Sequence, residues 1–157
     1  MSQHNDIVVL IVPAFDHMGK LPPGIYWVTW KELESRFGFT PRRVQLLAGL
    51  RQALVFLKQA GCRSVYIDGS FVTTKPQPGD VDACWAIEHV DPDKLDPVFL
   101  DFSHARAAQK ARFRGEFFPA DLPEGLTGKT FLEFFQTDKE TGARKGILAL
   151  DLRRWRP

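Results

Sequence analysis

Two cysteines in 157 residues are too few to staple a small secreted scaffold, and Cys62 and Cys84 lie in different segments without a metal-ligand spacing. A reducing cytoplasm is the setting expected from that usage. Long apolar runs are also missing. The longest near the start, Ile7–Val12, is cut by Pro13 and is too short to span a bilayer. Asp6 precedes it, where a secretion signal wants positive charge. Neither a membrane span nor a targeting segment is therefore expected. There is no internal repeat and no low-complexity run. Excess charge of one sign is lacking too: 21 Lys and Arg stand against 19 Asp and Glu, a net +2 that neither demands nor forbids nucleic acid. His4, His17, His89 and His104 share no spacing, which gives no basis for a zinc site.

What remains is an ordinary globular composition, 44% hydrophobic and 25% charged. With 13 Phe and 4 Trp, much of the core should be aromatic. The length suits one domain over 1–157, with a strand and loop over 1–24 and a basic tail over 153–157. Thr29 and Glu32 make a capping box before a helix from Trp30 to Phe37, stopped by Gly38. Thr40 and Pro41 then start a longer helix. Leu47, Leu50, Leu54 and Leu57 form its stripe, Val44, Leu46, Ala53 and Phe56 widen it, and Gly61 ends it. Strands are expected over 64–67, 81–87, 113–118 and 146–152, with helices over 103–112 and 131–136. In the third of these strands, alternation sets Phe113, Gly115 and Phe117 against Arg114, Glu116 and Phe118. Long helix, then strands with short helices between them, predicts an α/β or α+β domain with a mixed central sheet flanked by helices.

The chemistry concentrates between Gly69 and Asp82. Gly69-Ser70 is followed, after nine residues, by Asp80-Val81-Asp82. Gly69 permits a sharp turn off a strand and close approach of a phosphate to the backbone, and Ser70 adds a hydroxyl donor. On a strand, residues two apart point to one face, so Asp80 and Asp82 are expected side by side. Paired carboxylates suit hard cations such as Mg²⁺. Two such ions about 3.5–4 Å apart activate an attacking hydroxyl and steady a leaving pyrophosphate. The other reading of these residues is a turn capped by Asp80 and a solvated strand residue at Asp82.

In this order the segment resembles the active-site signature of the nucleotidyltransferase superfamily, the polymerase-beta-like fold. Leu21-Pro22-Pro23-Gly24, Tyr66-Ile67-Asp68-Gly69-Ser70-Phe71, Asp80-Val81-Asp82 and Phe134-Phe135-Gln136-Thr137 further resemble a bacterial family of small, uncharacterised, minimal-nucleotidyltransferase-like proteins. The resemblance implies a minimal nucleotidyltransferase fold. It also implies two Mg²⁺ (or Mn²⁺) ions on Asp80 and Asp82, and Gly69 and Ser70 against the phosphates of an NTP. It calls for a further carboxylate from a neighbouring strand. Glu116 is the first choice, although Asp is commoner there, and Asp151 is the rival. Glu133 is already explained by the capping box it forms with Thr130.

Weaker signals surround this core. Lys75 suits a triphosphate as a point charge, or is a solvated loop lysine. Arg106, Lys110, Arg112 and Arg114 suit an RNA end or a triphosphate, or form a solvated helix face. Trp27, Trp30 and Trp85 are read as packing residues and Trp155 as exposed. The expected activity is transfer of an NMP from an NTP to a hydroxyl of a protein or RNA acceptor. By resemblance the setting is a toxin–antitoxin or phage-defence pair with a partner protein encoded nearby. The alternative is a non-catalytic nucleotide-binding or protein-interaction module on the same fold.

Overall fold

Thr29 and Thr40 are the two places where local chemistry most directly sets the chain's path. In the computed structural model, which describes residues 12–157, the Thr29 hydroxyl accepts from the Glu32 backbone at 3.1 Å and opens helix α1, Trp30–Phe37. The Thr40 hydroxyl accepts from the Arg43 backbone at 3.2 Å and opens helix α2, Pro41–Gln59, with Pro41 in its first turn. The N-terminal strand expected over 7–12 lies outside the described residues except for Val12, which is in no strand. The remaining elements are strand β1 (Gly24–Trp27), strand β2 (Ser64–Asp68), strand β3 (Val81–Trp85), helix α3 (Ser103–Phe113), strand β4 (Gly115–Pro119), helix α4 (Phe131–Phe135) and strand β5 (Gly146–Asp151). A 3₁₀ turn, Pro97–Leu100, precedes α3.

The five strands form one mixed sheet in the order β1-β5-β2-β3-β4. β1 pairs with β5 and β3 with β4 in parallel, while β2 runs antiparallel to both β3 and β5. The chain is thus an α+β protein with a mixed sheet, as its pattern of elements predicts.

Strand alternation gives the two sheet faces different work. Val65, Ile67, Val81, Ala83, Phe117, Leu148 and Leu150 join Leu50, Leu54 and Leu57 of α2 in the main core. The aromatic content goes largely here, with Phe99, Phe113 and Phe117 packed ring against ring at 5.4–5.7 Å. Cys84, Ile147, Ala120 and Phe135 form a smaller cluster on the other face, beneath α4. That face is only partly covered, and its uncovered end is where the polar residues gather.

Several local expectations are corrected. Val44 lies off the buried stripe of α2 and is exposed. Trp155 is buried rather than exposed, since its ring packs 6.0 Å from Trp30 and its carbonyl accepts from Lys58. Phe113 ends α3 instead of starting a strand, and Arg114, at φ 55°, turns the chain into β4. Within α3, His104, Ala105 and Arg106 take left-handed backbone angles.

Candidate functional site

Sheet register builds the site. Asp68 on β2 is the cross-strand partner of Asp82 on β3, and Asp82 is the partner of Glu116 on β4. Three acids therefore stand in a row across three adjacent strands. They point away from the α2 face and line a cavity of about 970 Å³ with Gly69, Ser70 and residues from the 120–146 segment.

Gly69 makes the row possible. Its φ of 80° and ψ of −166° fall in a region essentially confined to glycine. A Cβ there would also collide with the Asp82 carboxylate. The turn and the central acid thus pack directly on each other. Beyond the turn, Ser70–Val72 forms one 3₁₀ turn.

Buried Arg43 holds the loop that follows. Its guanidinium donates to the carbonyl oxygens of Phe37 at 3.0 Å, Phe71 at 2.7 Å, Thr73 at 2.6 Å and Lys75 at 2.9 Å. It also lies 4.1 Å from the Phe39 ring centre. Burial lowers its pKa to about 10. Arg42 donates to the carbonyls of Pro78 at 3.1 Å and Gly79 at 2.5 Å, so α2 anchors both ends of this loop.

The charges of the row are unevenly balanced. Lys145 pairs with Asp68 at 3.1 Å. Arg106 at 2.8 Å and Lys110 at 3.3 Å both pair with Glu116. Among the described residues no cation forms an ion pair with Asp82. Burial, the hydrogen bond shared with Glu116 and the nearby acids push the Asp82 carboxyl well above its ordinary pKa. Burial also raises Asp68, against the pull of Lys145. Burial pushes Glu116 upward as well, but hydrogen bonds from Asp82 and Arg106 outweigh it and its pKa falls.

The expected residues meet this geometry unequally. Gly69, Ser70, Asp82 and Glu116 all line the cavity. Asp80 does not, because β3 begins at Val81 and the alternation rule does not reach back into the loop. Asp68 occupies the place in the row expected of Asp80. Lys75 is exposed on the loop and its side chain is away from the cavity, while its carbonyl is held by Arg43. Asp151 ends β5, paired with Arg153 at 3.1 Å, and does not line the cavity. The basic run divides: Arg112 pairs with Asp96 at 2.7 Å and Arg114 reaches Gln45 at 3.3 Å, leaving Arg106 and Lys110 at the acids.

Lys145 and Lys139, which also line the cavity, were not expected there, and neither was Lys20, held by an ion pair to Asp138. No local sequence signal marks the three lysines. Asp68, by contrast, was findable: β2 and β3 are consecutive antiparallel strands, and Asp68 adjoins the turn glycine.

Among the described residues no group of three His, Cys, Asp or Glu side chains is arranged to hold a metal ion with protein ligands alone. That does not argue against Mg²⁺, which is commonly held by one or two carboxylates together with substrate phosphates. Asp82 and Glu116 supply hard oxygen donors side by side, and the uncompensated Asp82 is the natural place for added positive charge. The donor set fits such an ion. Among the described residues no helix is long and apolar enough to cross a membrane.

A model of a family of unknown function, DUF6932, matches residues 13–151, and the chain belongs to that family. No curated protein and no solved structure matches it.

Proposed function

We propose that the cavity is a metal-dependent nucleotidyl-transfer site on a minimal nucleotidyltransferase fold. It moves an NMP from an NTP to a hydroxyl of a protein or RNA acceptor. The observation that carries this reading is the row Asp68–Asp82–Glu116, set on adjacent strands beside the Gly69 turn. Mg²⁺ or Mn²⁺ would be held by Asp82 and Glu116 and would supply charge stabilisation at the phosphates. Gly69 and Ser70 face the phosphates from the turn, and Lys145 and Lys139, which line the same cavity, offer positive charge.

The acceptor oxygen attacks the α-phosphorus, the bond from that phosphorus to the α–β bridging oxygen breaks, and pyrophosphate leaves with the electron pair. Asp68 takes the acceptor's hydroxyl proton; it lies beside Asp82 but has its own counter-charge in Lys145. Arg106 and Lys110, now on Glu116, carry the cationic charge that meets the departing phosphates. A toxin–antitoxin or phage-defence pairing with a neighbouring protein is the setting proposed for this activity.

The test incubates the full chain with each α-labelled NTP and Mg²⁺ or Mn²⁺, offering total RNA and cell lysate as acceptors. Label should move to RNA or protein, and Asp82→Asn should reduce transfer by about 100-fold or more. Label that moves equally with Asp82→Asn overturns the assignment.

One observation favours a second reading. The formal charge of the three acids is already matched by Lys145, Arg106 and Lys110. A non-catalytic module would keep that balance, bind NTP without metal and transfer nothing.

A further inference from the structure

Phe118 stands two residues beyond Glu116 on β4, on the same face of the sheet. At about 3.3 Å per residue its Cα lies about 7 Å from that of Glu116. It is the centre of an aromatic stack. The Phe131 ring lies 4.7 Å away with planes 15° apart, and the Phe102 ring lies 6.1 Å away with planes only 4° apart. Phe135 meets Phe118 edge-on at 6.1 Å. All four rings line the cavity. Phe102 is 40% exposed, although a ring of that size is ordinarily covered. The Arg106 guanidinium, while paired with Glu116, also lies 5.6 Å from the Phe118 ring centre.

The cavity therefore has an acidic and cationic half against the sheet and an aromatic half beside it. A nucleotide has the same division, with its ribose separating phosphates from base. We infer that the Phe102–Phe118 face is the platform on which the base of the incoming NTP stacks; this rests on the nucleotidyl-transfer reading of the adjoining acids. Leu122 and Pro123 continue this wall, so the base meets mainly apolar surface. Every base has a π-face, and stacking without edge hydrogen bonds discriminates weakly. The site thus accepts all four NTPs.

The test is calorimetry of the full chain with ATP, GTP, CTP, UTP and inorganic tripolyphosphate, each with Mg²⁺. The four NTPs should bind within about tenfold of one another and each at least about tenfold more tightly than tripolyphosphate. Phe102→Ala, at an exposed position, should remove most of that margin and leave tripolyphosphate binding unchanged. Phe118→Leu, which keeps an apolar side chain in the small cluster, should do the same. NTPs binding no more tightly than tripolyphosphate overturn the platform alone, as does a margin that survives both substitutions. A single NTP bound more than about a hundredfold better than the others overturns the promiscuity. If neither NTP nor tripolyphosphate binds, the nucleotidyl-transfer reading falls and the platform falls with it.

Discussion

Asp82 and Glu116 face each other directly across the parallel pair β3–β4. Glu116 is held ionised by Arg106 and Lys110, and Asp82 has no cation of its own among the described residues. The central acid is thus kept at a cost to the fold, which is how residues retained for function behave. Asp82→Asn keeps the side chain's size beside Glu116 and removes the ionisable group. Its urea midpoint at neutral pH should equal or exceed that of the wild type, while transfer collapses. A midpoint well below wild type would identify Asp82 as a structural residue.

Gly69→Ala should damage the site from the backbone side. The conformation at Gly69 costs another residue on the order of 1–3 kcal/mol, and the new methyl collides with the Asp82 carboxylate. The variant should unfold at lower urea and lose transfer together. Wild-type stability would show that the turn relaxes freely.

Arg43 makes a different prediction, because it serves the loop rather than the substrate. Arg43→Met leaves the carbonyls of Phe37, Phe71, Thr73 and Lys75 without their donor. Two or more orphaned acceptors imply a loss of about 3 kcal/mol or more. Arg43→Lys should rescue little, since one ammonium cannot reproduce the planar fork. Denaturant unfolding of both variants checks this, and a full rescue by lysine would contradict it.

The ion pair of Lys20 with Asp138 ties the turn before β1 to the segment after α4, on the cavity's rim. The hydrogen bond from Lys20 and the Glu140 backbone donor lower the Asp138 pKa from 3.8 to about 2. A depressed carboxylate contributes stability above its unfolded pKa and loses it as pH falls through its folded one. The stability difference between wild type and Asp138→Asn should therefore be constant above about pH 4 and shrink between there and pH 2. Unfolding curves across that range measure it. A difference that does not change with pH would remove the pair from the account.

Leu50 tests the packing that supports all this. It is fully buried where α2 meets the sheet. Leu50→Ala should cost about 2–5 kcal/mol, measured by denaturant unfolding. A loss under 1 kcal/mol would mean that α2 is not packed as described.

Where local chemistry decides, the fold was legible. Thr29, Thr40 and Pro41 mark helix starts, and α1 and α2 begin where those residues place them. Thr130 does the same for α4, which explains Glu133 without any role at the acids. The site was legible as a motif but less so as geometry. Gly69, Ser70, Asp82 and Glu116 all reach the cavity. Asp80 does not line the cavity, and β3 starts one residue after it. Asp68 enters through β2–β3 register, and its place at the end of β2 beside the turn glycine is the mark it leaves in the sequence. Lys145 meets Asp68 only because β5 lies beside β2, a pairing of distant segments. The left-handed stretch at His104–Arg106 has no sequence mark either, since none of its residues is glycine.

The most direct test of the central claim follows the two ends of one NTP. Parallel reactions carry label at the α- or the γ-phosphate, with Mg²⁺ and the same RNA and protein acceptors. The account predicts α-label bound to acceptor and γ-label released as pyrophosphate, both lost in Asp82→Asn. Label reaching the acceptor from the γ-position would mean phosphoryl transfer instead. No transfer from either position, together with no Mg²⁺-dependent NTP binding, would contradict the nucleotidyl-transfer account outright.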